Sequence, residues 1–278
     1  VNPVDWKIRK GFLKDMMPHH FPLIPGWDAS GTIESMGKSV SDFKVGDKVY
    51  AYCRKPEVQW GTYAEFITVD AKNVAIAPTN ISSAQAASIP LVGLTAWQAL
   101  FDWCKLKKGQ TILIHAGAGG VGSLAIQFAA SVGAEVITTV SEKKESYVRE
   151  LGAKHVIDYR KNDFETVVNE KYPTGVDAVC DLVGGEAQTK SFNVLRQGGS
   201  LVSIVNPPEE SLAREKSINA GFVFVEPSGA QLTEIKQLIE ASRVLPPRLQ
   251  EFSLEDAPKA QALSEKGGVV GKLIIKIY

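Results

Sequence analysis

The sequence predicts an α/β protein in two parts, one β-rich and one built on a doubly wound parallel sheet. Three observations carry this. Up to about Leu91, short apolar runs are cut by Gly and Pro; from Thr111 onward, strand-like and helix-like runs alternate; and a glycine-rich turn, TILIHAGAGGVGS, stands at the first strand-to-helix junction of that alternation.

In the first part, FPLIPGWDASGTIESMG, FKVGDKVYAYC and GTYAEFITVD are short and irregular. Alternation in GDKVYAY and YAEFITV puts one side chain in two on an inner face, as in a curled antiparallel sheet, a barrel or half-barrel. At SSAQAASIPLVGLTAWQALFDWCKL the period becomes helical, with Ser82 or Ser83 placed to cap.

The second part reads TILIHA, SLAIQFAASVG, EVITTV, KESYVRELG, HVIDY, DFETVVNEK, DAVCDLV, SFNVLRQG and SLVSIV, strands and helices by turns. TILIHA, EVITTV and DAVCDLV are almost wholly apolar, as strands covered on both faces must be. After FVFVEPSG come a helical stretch, QLTEIKQLIEASRV, and a closing strand, KLIIKI, which is expected to return to the β-rich part. The opening VNPVDWKIRKG reads as the middle of a domain, so an upstream portion is expected.

Composition narrows the function classes. The 278 residues are 44% hydrophobic, enough for a sizeable core, and 31 Lys and Arg balance 31 Asp and Glu. No net field gathers nucleic acid or an acidic membrane surface, and no apolar run reaches the ~20 residues of a bilayer span. The expected partner is a small molecule, with no nucleic acid and no membrane. Cys53, Cys104 and Cys180 form neither a CxxC pair nor a disulfide pattern, which fits a cytoplasmic protein.

Gly117, Gly119 and Gly122 form GxGxxG between a strand expected to end at Ala116 and a helix expected to start near Val121. In a Rossmann turn the first glycine permits the tight bend, the second lets backbone approach a pyrophosphate, and the third lets helix pack on strand. Gly120 and Val121 then sit where helix N–H groups face phosphate. A dinucleotide is the expected cofactor; the competing reading is a plain glycine-rich turn.

An NAD site usually ends its second strand in a carboxylate that bonds the adenine ribose. Here EVITTV runs into Ser141, followed by Glu142, Lys143 and Lys144. Ser141 can donate to a 2′-phosphate and Lys144 can neutralise it, so NADPH is expected. Glu142 could take the carboxylate role one residue late, and the lysines also suit a solvated helix start.

Metal and nucleophile signals are absent. His19 and His20 are adjacent, the cysteines are isolated, and there is no GxSxG elbow, so no metal is expected and hydride chemistry remains. His115, ahead of the glycines, reads as packing under the cofactor and His155 as a strand-edge residue.

Taken in order, NPVDWK, PGWDASG, GDKVYA, GTYAEF, GLTAWQAL, HAGAGGVG and GGEAQTK resemble the medium-chain dehydrogenase/reductase superfamily, and within it the zinc-independent quinone oxidoreductase-like group. The resemblance runs essentially from Val1 to Tyr278. It implies a GroES-like β-rich catalytic domain, 1–92 and 227–278, a Rossmann NADP-binding domain, 93–226, and an active site in the cleft.

In zinc-dependent members the stretches matching VNPVD and PGWDASG each carry a ligand. Those places hold Asn2 and Trp27 here, the third falls near Leu91, and the four-cysteine structural loop is missing. By the same resemblance, Asn2 is expected to contact the nicotinamide end as the catalytic candidate and Thr95 to pack beside it. Tyr159 is expected near the adenine ribose phosphate, while Ser203, Ile204 and a Phe222 to Phe224 strand complete the nicotinamide side. The bland alternatives are turn and cap roles for Asn2 and Thr95, and core roles for Tyr159 and the two phenylalanines. Lys7 stands where many relatives carry a Tyr facing the substrate.

Without a metal to polarise a simple ketone, a quinone or an enone is the expected hydride acceptor. Lys7, Tyr52 and Asn2 are the candidate hydrogen-bond donors, and Trp27, Tyr52 and Trp60 a candidate aromatic wall, or simply core. The rival reading is a structural or redox-sensing protein that binds the cofactor with little turnover. A homodimer is expected, with FVFVEP pairing edge to edge across a two-fold axis.

Overall fold

The computed structural model describes residues 1–277. Tyr278, the last residue of the range expected for the catalytic domain, lies outside them. The chain divides into two compact units, one of Val1–Leu94 with Glu226–Tyr278 and one of Thr95–Val225.

The first unit opens on helix α1 (Pro3–Arg9), with Asn2 at its N-cap. Strands β1 (His19–Ile24), β2 (Asp28–Thr32), β3 (Lys48–Tyr52), β4 (Val58–Trp60) and β5 (Val74–Ile76) follow, then helix α2 (Ser83–Ala87) and helix α3 (Pro90–Trp97), along which the division between the units falls. Ser82 caps α2 and forms a capping box with Gln85. Pro90 lacks the N–H needed to continue α2, so the expected single helix is two, ending in a π-helical turn at Gln98–Trp103.

Only β2, β3 and β5 form an antiparallel sheet; β1 pairs with β4 in parallel. The expected strand in GTYAEFITVD does not form. Gly61, Thr62 and Tyr63 spend their N–H groups on the carbonyls of Ile24, Gly26 and Pro25, so this segment lies against the turn before β2 instead of joining a ladder. Gly26 permits that approach: a Cβ there would stand 2.5 Å from both Thr62 and Tyr63.

The second unit holds β6 (Thr111–Ile114), α4 (Gly120–Ser131), β7 (Glu135–Val140), α5 (Glu145–Glu150), β8 (His155–Asp158), α6 (Phe164–Lys171), β9 (Val176–Asp181), α7 (Gly185–Ser191), β10 (Leu195–Ser203), α8 (Glu210–Glu215) and β11 (Asn219–Phe222). Its six strands are all parallel, in the order β11-β10-β9-β6-β7-β8. The order reverses between β6 and β9, the switch point at which such sheets open a crevice beyond their carboxyl ends. Leu113, Ile137, Val179 and Leu201, one from each central strand, form its core with Phe164, Val168 and Phe192.

Three boundaries differ from expectation here. β6 stops at Ile114 because Ala116 already sits at φ 51°, bending the chain toward the glycines. SFNVLRQG is not a helix: α7 ends at its first residue, Ser191, and Leu195–Gly198 enter the long strand β10. β11 ends at Phe222, so Phe224 lies beyond the strand.

The chain then returns to the first unit through α9 (Gly229–Glu240), β12 (Leu249–Ser253), α10 (Ala257–Lys266) and β13 (Lys272–Lys276). β12 and β13 pair in parallel. The Tyr50 hydroxyl donates to the Leu232 carbonyl at 2.5 Å, fixing α9 to the buried end of β3.

Candidate active site

In the second unit the three glycines do different work. A Cβ on Gly117 would lie 2.1 Å from Thr138 Oγ1, and one on Gly122 would lie 2.5 Å from the Ala116 carbonyl, so both are packing glycines. At Gly119 the nearest atom to such a Cβ is 3.6 Å away. Gly119 is the N-cap of α4, and Gly119, Gly120 and Val121 are all partly exposed. The first N–H groups of a twelve-residue helix therefore border open space, which fits a pyrophosphate.

β7 ends at Val140, and buried Ser141 is the N-cap of a single turn, Glu142–Lys144, with no capping bond from its hydroxyl. Glu142 turns to Lys161, 2.8 Å away. Tyr159 is 56% exposed, which excludes the core role, and its N–H reaches the Val140 carbonyl beside Ser141. The Arg160 guanidinium stands 5.8 Å from the Tyr159 ring. Arg160 escaped the sequence reading because no motif marks it; the end of strand β8 beside β7 does.

Across the switch point, Asp181 ends β9 fully buried. It accepts from the N–H groups of Val183 and Gly184, from Gln188 Nε2, and from Ser203 Oγ at 2.8 Å. Ser203 is thus wholly buried and held, while Ile204, half-buried, donates its N–H to the Asp181 carbonyl. Phe222 and Phe224 are half-buried, and Thr95 is buried on α3. Asp181 had no motif to announce it.

His115 is buried between Thr139 and Ser191, its Nε2 lying 2.9 Å from Ser191 Oγ, with Phe164 edge-on. Burial depresses its pKa to about 4, so it stays neutral. His155 lies on β8, the sheet edge.

In the first unit the polar centre is Asn2. Its Nδ2 donates to Asp28 Oδ2 at 2.7 Å, and its Oδ1 accepts from the Lys272 ammonium. Lys272 also reaches Asp28 Oδ2 at 3.3 Å and the Val1 carbonyl at 3.1 Å. The other Asp28 oxygen accepts the Leu91 N–H at 2.7 Å. Lys272 and Asp28 are 4% and 5% exposed, a buried ion pair. Beside them Asp5 accepts from the Asn2 N–H and the Tyr63 hydroxyl, and its carboxyl is pushed upward by burial. Asn2, Asp5, Trp27, Asp28 and Tyr63 line a cavity of about 40 Å³.

Trp27 and Tyr52 pack edge to face at 6.0 Å, and the Tyr52 hydroxyl has no partner among the described residues. Burial raises its pKa, keeping the proton on. Trp60 is 49% exposed, so the expected three-ring wall has two buried members. The Lys7 ammonium lies 5.8 Å from the Trp6 ring.

The Alcohol dehydrogenase GroES-like domain family matches residues 1–79, and the Zinc-binding dehydrogenase family matches residues 151–275. A 2-methylene-furan-3-one reductase of Solanum lycopersicum is 36% identical over 99% of this chain and 69% of its own. The chain belongs to the medium-chain dehydrogenase/reductase superfamily, in its quinone oxidoreductase-like group.

Two further members support the assignment. An NADPH-dependent alkenal/one oxidoreductase of Arabidopsis thaliana is 37% identical over 88% of this chain and 61% of its own. The solved Escherichia coli quinone oxidoreductase complexed with NADPH is 28% identical, with a TM-score of 0.85 over 99% of this chain and 88% of that one. The superfamily's GroES-like and Rossmann folds are the two described above. The Asn2 side chain and the Leu91 backbone N–H both converge on Asp28. Among the described residues, no group of three His, Cys, Asp or Glu is gathered to hold a metal ion, and no helix is long and apolar enough to cross a membrane.

Proposed function

We propose that this protein is a zinc-independent, NADPH-dependent reductase of quinones or α,β-unsaturated carbonyl compounds. That it is an oxidoreductase of this type using NADPH follows from its family; the metal-free chemistry, the acceptor and the residue roles are proposals. The observation that carries the cofactor assignment is the open ground at Gly119 on the N-terminus of α4, flanked by packing glycines.

Preference for a 2′-phosphate is supported by the chemistry at the ends of β7 and β8. Ser141 stands where a ribose-binding carboxylate would; Glu142 is engaged by Lys161, and Asp158, at the end of β8 opposite Val140, accepts from the Arg160 N–H. Lys144 and Arg160 supply charge, and Tyr159 an exposed ring. Ser203, Ile204, Thr95, Phe222 and Phe224 are assigned to the nicotinamide end, with the Asp181 network holding Ser203 in place.

When bound, NADPH supplies a hydride to an electron-poor carbon of the acceptor, and a proton from solvent completes the saturated carbonyl or hydroquinone. Asn2 is assigned to the reacting end, where its amide N–H stabilises the oxygen on which charge develops. Tyr52, with a spare hydroxyl donor, is the second candidate for that task. Asn2 and Trp27, where the resemblance puts two ligands of the zinc-dependent members, with the third place near Leu91, support a reaction without zinc.

Three buried free cysteines support a reducing compartment such as the cytoplasm. A homodimer is proposed through β11, the edge strand of its sheet; of the FVFVEP segment expected to pair, Phe222 alone lies in that strand, so the pairing residues are Asn219–Phe222.

The test is steady-state NADPH oxidation, with NADH alongside, against one quinone and one 2-alkenal after dialysis against a chelator. Turnover that survives chelation and favours NADPH is expected. Tight NADPH binding without turnover on either acceptor would move the protein to the structural or redox-sensing class.

A further inference from the structure

Asn2 is held by two neighbours of opposite character. Lys272 can only donate and Asp28, ionised, can only accept. The Asn2 amide meets the donor with Oδ1 and the acceptor with Nδ2. Turning the amide over would set its NH2 against an ammonium and its oxygen against a carboxylate. An unpaired asparagine has two nearly equivalent amide orientations; this one has one.

The clamp is itself fixed. Lys272 spends its remaining N–H groups on the Val1 carbonyl and Asp28, and Asp28 Oδ1 is tied to the Leu91 N–H. The three side chains come from the N-cap of α1, the start of β2 and the start of β13, so residues 2, 28 and 272 meet only in the folded unit. A buried ion pair costs desolvation that well-packed apolar side chains would not, so its presence calls for something beyond stability. An amide of fixed polarity at a reacting centre meets that need.

We infer that Lys272 and Asp28 are positioning residues that lock the Asn2 amide in a single orientation for hydride transfer. The inference rests on the role of Asn2 proposed above. Nδ2 has two N–H groups, and Asp28 takes one; the lock leaves the other as a donor of fixed direction.

The decisive variant is the double substitution Asp28→Asn with Lys272→Met, which removes both charges together and keeps the volumes close. With the oxygen of the amide introduced at position 28 still held by the Leu91 N–H, its NH2 faces Asn2, and the Asn2 amide must turn round to accept. The double variant is therefore expected to fold and to bind NADPH normally while placing the Asn2 amide the wrong way.

Two readouts separate this inference from the role of Asn2. The first is exchange of the Asn2 side-chain amide protons with solvent, the resonances being identified by their loss in Asn2→Ala. Exchange at least about tenfold faster in the double variant is expected, since the NH2 of the turned amide has lost the carboxylate that held it. The second is kcat with a 2-alkenal, expected to fall about 10- to 100-fold with little change in the KM for NADPH. In an Asn2→Ala background the double substitution should cost less than about twofold more, because both act through one group.

Unchanged amide exchange in a folded double variant overturns the inference. So does a full further loss of kcat in the Asn2→Ala background. Faster exchange together with a wild-type kcat for Asn2→Ala leaves the orientation lock standing and removes instead the catalytic role given to Asn2.

Discussion

The two units solve the problem of holding a ligand in opposite ways. The nucleotide end of the Rossmann unit is built from backbone and from what is missing: helix N–H groups, one glycine that borders open space, and two that let a helix close on a strand. The Asn2 centre of the other unit is built from charged side chains sealed away from water, each satisfied by another. Backbone recognition tolerates loss of charge but not added bulk; the polar centre tolerates neither loss of a partner nor a neutral stand-in on one side only.

The sharpest way to break this contrast is Lys272→Met alone, which leaves Asp28 buried without its cation. A loss of about 3–5 kcal/mol in denaturant unfolding is expected, and the paired Asp28→Asn, Lys272→Met variant should recover most of it. If the single variant is as stable as wild type, the polar centre is not a coupled unit.

Second in size is a pH effect in the Rossmann unit. His115 has a folded pKa of about 4 against an ordinary 6.5, so between these values the unfolded chain binds a proton that the folded chain does not. Its stabilising contribution is complete above pH 6.5 and is lost as pH falls toward 4, to a total of about 3 kcal/mol. His115→Leu should flatten the stability profile over that window; an unchanged slope would assign the acid sensitivity elsewhere.

Next come the glycines, which divide the Rossmann turn by function. Gly122→Ala forces a Cβ onto backbone atoms that cannot yield, and a loss of about 1–3 kcal/mol is expected. Gly119→Ala has room for its Cβ and should keep the melting temperature while weakening NADPH binding by about tenfold, measured by nucleotide fluorescence titration. Equal stability losses in the two would erase the distinction. Smallest is Arg160→Ala, expected to narrow the NADPH-over-NADH preference by a few-fold, about 1 kcal/mol, with no change in binding of NADH.

Legibility in the sequence follows the same divide. A backbone site must be written as local spacing, because one strand, one turn and one helix make it; Gly117, Gly119 and Gly122 are read at once, and Ser141 follows one strand later. Asp181 and Arg160 stand at ends of neighbouring strands and need the sheet order before they have meaning. Asn2 is reachable only through resemblance, and Lys272, 270 residues further on, through nothing but the fold. In the β-rich unit, alternation in YAEFITV imitates a strand, yet Tyr63 at its start, with Gly61 and Thr62 before it, spends its N–H on the turn at Ile24–Gly26. Where backbone bonds go to a turn instead of a ladder, periodicity carries no warning.

The most direct measurement is the fate of label from NADPH deuterated at the transferable C4 position, reacted with a 2-alkenal by chelator-treated protein and followed by NMR. Metal-free conjugate reduction predicts a saturated aldehyde with deuterium on the β-carbon. An allylic alcohol carrying deuterium on the former carbonyl carbon would contradict it, because that is the product of the carbonyl polarisation this site is proposed to lack.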